Sequence, residues 1–271
     1  MNIITYIIVS LLLGVALTVL GYRLSFKFTG KPKLLLALIF FILCLPGLLF
    51  LIMPLGIIKE PIWCINFRSI KGIELLSVFW CLFLSFITPK KDVYFNVRWH
   101  FFNNFIYILG IFLAVGNYMG YMLYPAPYDS FKNTWVDSVC IQSTGYTCAP
   151  SSVATVERYY GINTTEAEVA KALYTNTKGT KRYDIIRYLR EKGYITNCIY
   201  EKDVSKIPSP ALLEVLVMNG IPHSIAFFGE ENGKFIIADP LSGKKYLTKD
   251  DFYKKYGFKG LSTQVIKPLK H

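Results

Sequence analysis

The chain has 271 residues, 53% of them hydrophobic, and carries 30 Lys/Arg against 18 Asp/Glu. A wholly soluble domain of this length would be less apolar, so a membrane protein is the first expectation. The basic excess does not point to nucleic acid. The positives of the first half lie between apolar runs, those of the second half are mixed with acids, and no GxxxxGK phosphate loop occurs, so neither a nucleic acid nor a nucleotide is an expected partner.

Residues 1–124 hold ten Lys/Arg and three acids (Glu60, Glu74, Asp92), whereas 125–271 hold twenty and fifteen. This change in charge density near Tyr124 marks a boundary. It predicts an all-α transmembrane domain at 1–124, a linker at 125–137 opening on Pro125-Ala126-Pro127, and a second domain at 138–271.

Four apolar stretches predict the spans. Residues 3–22 are uncharged and long enough for a hydrocarbon core of about 30 Å. They lack a basic leading region and a small-x-small cleavage site, so a retained helix is expected and not a signal peptide. Residues 34–58 contain Pro46, Gly47, Pro54 and Gly56, which predict a kink or an irregular end. Residues 72–87 are shorter and include Glu74, placed at the interface one turn from Lys71. Residues 101–124 have aromatic flanks in Trp99, Phe101, Tyr121 and Tyr124.

Four crossings make a multi-pass protein of the lipid bilayer. Arg23, Lys27, Lys31 and Lys33, with Lys90, Lys91 and Arg98, outnumber Lys59, Arg68, Lys71 and Lys132 in the alternate connections. The positive-inside tendency then puts the second domain on the extracytoplasmic side. With three crossings this count no longer decides the side.

The second domain reads as α+β. Helices are predicted at 151–160, 165–174 (with Thr165 and Glu168 as a capping box), 181–192, 210–218 and 249–256. Strands are predicted at 195–200, 221–228, 234–239 and 263–267, with a short one beginning at 246.

Cys148 stands just before the first of these helices, followed by Ala149-Pro150-Ser151, and proline suits a helix start. The positive end of a helix favours a thiolate, the form in which cysteine is a nucleophile. A base has few sources: His100 adjoins a membrane span, His271 is terminal, and His223 begins an apolar strand. If the following turn covers 229–233, His223 and Asp239 face each other across a hairpin, where a carboxylate can orient the imidazole; another loop length shifts the pair. Gln142, six residues before Cys148, offers an amide donor to an oxyanion, with the Cys148 backbone N–H as a second donor.

Each residue also has a structural reading: a lone Cys as a small buried hydrophobe, a strand His as a core group, Asp-Pro as a strand end. Their conjunction points to catalysis. Cys44, Cys64 and Cys81 sit in or beside apolar segments and are expected to be inert. No metal-ligand spacing occurs, and no cofactor is implied. Outside the cytoplasm Cys140 and Cys198 are candidates for a disulfide that leaves Cys148 free.

These residues resemble the peptidase C39 family, the bacteriocin-processing, papain-like cysteine peptidases. QSTGYTCAPSSVATVERYYG at 142–161 is similar to the family's Gln-x5-Cys opening and first helix. KGTKRYDIIRYLREKGY at 178–194 is similar to its internal Gly-Thr segment and helix, and IPHSIAFFGEENGKFIIADPLSGKKYLTKDDFYKKYGFKG at 221–260 to its Pro-His strand, Asp-Pro strand end and closing helix.

The resemblance implies a papain-like α+β fold, with Cys148 as nucleophile, His223 as base, Asp239 as its orienter and Gln142 in the oxyanion hole. It also implies a peptide or protein substrate, with leader peptides cut after Gly-Gly, and a separate exporter as partner. The chain departs from the family pattern in having Thr147 where an acid often precedes the Cys. It also carries its apolar helices before the peptidase segment and no nucleotide-binding domain after it. The alternative function is a catalytically silent, C39-like peptide-binding module on a membrane anchor.

Overall fold

A computed structural model describes residues 3–53, 60–88, 97–218 and 220–267. Pro54, Gly56, Lys59, Lys90, Lys91, Asp92 and His271 lie outside the described residues. The chain divides into two compact units, Met1–Leu123 and Tyr124–His271.

The first unit contains α1 (Ile3–Lys27), α2 (Gly30–Ile52), α3 (Ile62–Arg68), α4 (Phe79–Ile87) and α5 (Val97–Leu123), with a 3-10 segment at Ile73–Val78 leading into α4. Helices α1 and α2 are long and apolar enough to cross a membrane, and α2 continues through Pro46 without ending there. The segment expected as a third span, 72–87, is the helical run Ile73–Ile87, which meets α3 at 91° across a break that includes Gly72 at φ 77°. Within α5 the apolar stretch Asn103–Gly116 is shorter than a full crossing. Two crossings by length and composition, or three if the bent pair is one span, therefore stand among the described residues where the sequence predicts four.

Close approach of the backbones holds this unit together, as expected where apolar helices pack through small residues. A Cβ on Gly21 would lie 2.5 Å from the Leu82 carbonyl oxygen, and one on Gly47 would lie 2.8 Å from Cα of Ser77. Glu74 is buried in this unit at 6% exposure.

The second unit is α+β. A small two-stranded ribbon, β1 (Thr134–Val136) and β2 (Val139–Ile141), precedes α6 (Cys148–Tyr159), α7 (Glu166–Ala172) and α8 (Arg182–Glu191). A six-stranded antiparallel sheet follows, in the order β3 (Ile195–Tyr200), β8 (Leu261–Ile266), β4 (Ala211–Val217), β5 (Ile221–Glu231), β6 (Lys234–Asp239) and β7 (Gly243–Leu247), with α9 (Lys249–Lys255) between β7 and β8. The predicted capping box at Thr165 and Glu168 is present at the start of α7.

The helix expected at 210–218 is strand β4. Ala-Leu-Leu-Glu favours a helix locally, but the segment lies between β5 and β8, so Leu213 and Val215 are buried and its backbone groups bond on both sides. That tertiary pairing outweighs a local preference worth tenths of a kcal/mol per residue.

The core lies on both faces of the sheet. Leu212, Ala226 and Ala238 face Val153 and Val156 of α6 and Leu189 of α8, while Leu213, Ile225, Phe227 and Ile237 face Phe252 of α9 and Tyr256. Each fully buried Leu, Ile or Phe contributes about 1.5–3 kcal/mol. The alanines on the first face leave room for α6 to settle on the sheet and fix where its first residue, Cys148, emerges.

The β5–β6 turn is tighter than expected. Asn232 and Gly233, at φ 51° and 72°, form a two-residue loop between the paired Glu231 and Lys234. Positive φ at both loop positions is the type I′ geometry that Asn-Gly favours. The register then shifts between Phe227 and Glu230, where Phe228 and Gly229 stand against Ile236 alone, which is a β-bulge. His223 lies opposite Val215 of β4, not opposite Asp239 as the longer turn predicted.

Candidate active site

Cys148 is the first residue of α6 and is half-buried. Its backbone N–H belongs to the first turn, where no intrahelical acceptor exists. The Ser152 hydroxyl, one turn on, donates to the Ser224 carbonyl at 3.0 Å and ties α6 to β5 beside His223.

His223 and Asp239 are 5% and 2% exposed, and His223 Nε2 lies 2.9 Å from Asp239 Oδ1. Cys148, at the start of α6, acts on the same ring and favours its charged form. Burial by itself disfavours charge on His223. The hydrogen bond to Asp239, then that to Cys148, outweigh it and push the imidazole up to about 9.

Asp239 is also buried, which opposes its ionisation, yet its carboxyl is held well below the usual range by His223, the Leu241 N–H, Tyr256 and Ser242. Leu241 N donates to Oδ1 at 2.9 Å, while the Ser242 and Tyr256 hydroxyls donate to Oδ2 at 2.8 Å each. Lys255 Nζ stands 3.6 Å from Oδ2. The carboxylate is therefore fixed on both oxygens and holds His223 through one of them.

Gln142 reaches the same region through its backbone: its N–H donates to the Pro240 carbonyl at 3.0 Å, next to Asp239. Its side-chain Nε2 donates to the Thr144 carbonyl at 2.7 Å, and its Oε1 is buried with no partner among the described residues. The intervening loop closes on itself, with Thr144 N donating to Thr147 Oγ1 at 3.1 Å and Thr147 N to Thr144 O at 3.3 Å. Thr147, where an acid was noted as the usual family residue, is fully buried and serves this loop.

The structure thus gathers Cys148, His223 and Asp239 at one place and joins the Gln142 backbone to it. The sequence missed Ser152, Ser242 and Tyr256. Ser242 was readable as a hydroxyl three residues after Asp in an Asp-Pro turn; Tyr256 gave no local signal. The proposed Cys140–Cys198 disulfide does not form: both are free thiols, Cys140 on β2 of the ribbon and Cys198 on β3 at the edge of the large sheet.

The family model described as the Peptidase C39 family matches residues 137–264. An uncharacterised protein of Methanothermobacter marburgensis is 28% identical over 113 residues, 42% of this chain and 78% of that protein. The probable functional amyloid protease FapD of Pseudomonas fluorescens is 30% identical over 151 residues, 51% of this chain and 64% of its own length. Among solved structures, the peptidase domain of Streptococcus ComA, a bi-functional ABC transporter of a quorum-sensing pathway, is 23% identical with a TM-score of 0.43, covering 48% of this chain and 98% of that one.

Proposed function

From the match of residues 137–264 to the Peptidase C39 family model, we propose that this chain is a papain-like cysteine endopeptidase held at a membrane by its apolar helices. The observation that carries the reading is the buried His223–Asp239 pair, Oδ1 2.9 Å from Nε2, with Cys148 at the start of α6 acting on the same imidazole. In this reading the Cys148 thiolate attacks the scissile carbonyl carbon and His223, as imidazolium, protonates the leaving amine as the C–N bond breaks. Water then adds to the thioester, its proton passing to His223, and the thiol is released. Asp239 holds the ring and stabilises its charge, while Gln142 and the Cys148 N–H donate to the oxyanion.

The substrate class follows from the family: a peptide or protein cut after a Gly-Gly pair, with a separate exporter as partner. In this reading the connection between α1 and α2, with Lys27, Lys31 and Lys33 in or beside it, lies on the cytoplasmic side of a multi-pass protein, as the positive-inside tendency supports. The peptidase is then extracytoplasmic if the remaining apolar segments cross an even number of times.

The test uses the full chain in detergent micelles with a synthetic peptide containing one Gly-Gly pair. Cleavage after the pair, abolished by Cys148→Ala and by His223→Ala, is the expected result. Cleavage that survives Cys148→Ala overturns the assignment. So does an absence of cleavage together with iodoacetamide labelling of Cys148 that is indifferent to His223→Ala, which would make the domain a peptide-binding module.

A further inference from the structure

The loop between Gln142 and Cys148 is held from outside by a carboxylate to which no role has been given. Glu166, at the first position of α7, is fully buried. Its Oε1 accepts from the Ser143 backbone N–H at 2.8 Å and from the Ser151 hydroxyl at 3.2 Å, and its Oε2 accepts from the Ser143 hydroxyl. Ser143 Oγ in turn accepts from the Lys132 N–H at 2.7 Å, and Asn133 Oδ1 accepts from the Glu166 N–H at 3.2 Å. One carboxylate thus fastens the residue after Gln142 and the residue three after Cys148.

We infer that Glu166 is a positioning residue, which sets the separation between the Gln142 amide and the Cys148 thiol by clamping Ser143 and Ser151 to a single point. This rests on the peptidase reading above. The physical basis is economy of movement. The loop has a free turn at Gly145, which is exposed, and its internal bonds join only Gln142, Thr144, Tyr146 and Thr147 to one another. The loop's two ends are held, Thr147 by the Ser151 N–H at 3.1 Å and Gln142 by its own N–H to the Pro240 carbonyl at 3.0 Å, but neither bond reaches Ser143. The contacts of Glu166 tie that middle of the loop to α6, because Ser151 lies within α6 and Ser143 stands next to Gln142. A buried carboxylate is costly unless every hydrogen bond is made, so the clamp has one satisfied geometry and no nearby alternative. Loss of the clamp would let the amide donor drift by an ångström or so, and oxyanion stabilisation falls steeply with such displacement.

The experiment separates two reactions of the same sulfur in the full chain in detergent micelles. Alkylation of Cys148 by iodoacetamide needs the thiolate and no oxyanion donor. Cleavage of a Gly-Gly coumarylamide reporter needs both. Glu166→Ala is expected to lower kcat for the reporter by about 10- to 100-fold, less than the roughly 100- to 1000-fold for losing an oxyanion donor outright because the donor is displaced and not removed, while alkylation changes less than about twofold. Ser143→Ala removes one clamp bond and leaves the carboxylate, and is expected to lower kcat by a smaller factor in the same direction. Because Glu166 acts through Gln142, the Glu166→Ala/Gln142→Ala double variant should be no slower than Gln142→Ala alone. Glu166→Gln, which retains an acceptor for Ser143 N–H, is the folded control and should recover most of the loss.

Multiplying losses in the double variant, a parallel fall in alkylation, or an unchanged kcat in a folded Glu166→Ala protein would each overturn the proposal. Failure of the peptidase reading looks different: the unsubstituted chain would then not cleave the reporter at all.

Discussion

Asp239 reaches His223 diagonally across the β5–β6 ladder, Oδ1 2.9 Å from Nε2, and the contact exists because one residue is added to β5. The tip pairs Glu231 with Lys234 and Glu230 with Phe235; continued unbroken, that register would set Asp239 against Ala226, whose side chain faces α6. The bulge at Phe228 and Gly229 moves the pairing to Ala226 with Ala238, so the next step sets Asp239 against Ile225, on the face that His223 shares. A shift of one residue exchanges the faces of a strand. Gly229, at φ 102°, takes a conformation that side chains rarely adopt.

Deletion of Gly229 should remove the bulge and leave one unbroken ladder, in which Phe228 pairs with Ile236 and Asp239 still meets Ile225. Peptide cleavage is expected to persist, with circular dichroism reporting a folded sheet. A deletion variant reduced to the level of Asp239→Ala would mean that the bulge does more than absorb one residue of β5.

Stability should depend on His223 with a definite sign. The imidazole is pushed up to about 9 in the folded protein, whereas in an unfolded chain it titrates near 6.5. The folded state thus binds the proton more tightly, and this contribution is fully present below about 6.5 and lost as pH rises through about 9. The melting temperature should fall across that window, and fall less in His223→Gln; peptide cleavage should decline on the same alkaline limb. Equal slopes in the two proteins would contradict the assignment.

Tyr256→Phe removes one donor from a buried carboxylate and leaves the ring packed in its cluster. The expected cost is about 1.5–3 kcal/mol, the range for a hydrogen bond to a charged group, read from denaturant unfolding. Cleavage should persist, because Ser242, Leu241 and His223 still hold Asp239.

The cysteines should separate by accessibility. Burial, then the nearby Glu166 charge, pushes the Cys140 thiol up to about 12, and Cys198 is also buried, whereas Cys148 is half-buried. Brief iodoacetamide treatment of the native protein should modify Cys148 ahead of the other two. Labelling after denaturation without reductant should find both Cys140 and Cys198 free; a missing pair would reveal a bridge that the structure lacks.

By itself the sequence determined the two-unit division, the apolar helices α1 and α2, the helix start at Cys148 and the capping box at Thr165, which are written in local charge, periodicity and spacing. The four residues proposed for the chemistry came from their conjunction and from the family resemblance, since the hairpin spacing set His223 opposite Asp239 and the observed register does not. Only the tertiary structure decided that 210–218 is a central strand, that Ile73–Ile87 follows a 91° bend from α3, and that Asp239 reaches His223 through a bulge. It alone brought in Ser152, Tyr256 and Glu166, whose partners lie 72, 17 and 23 residues away. The physical reason is range: helix propensity and capping act within a few residues, whereas strand pairing and buried hydrogen bonds depend on which distant segments meet.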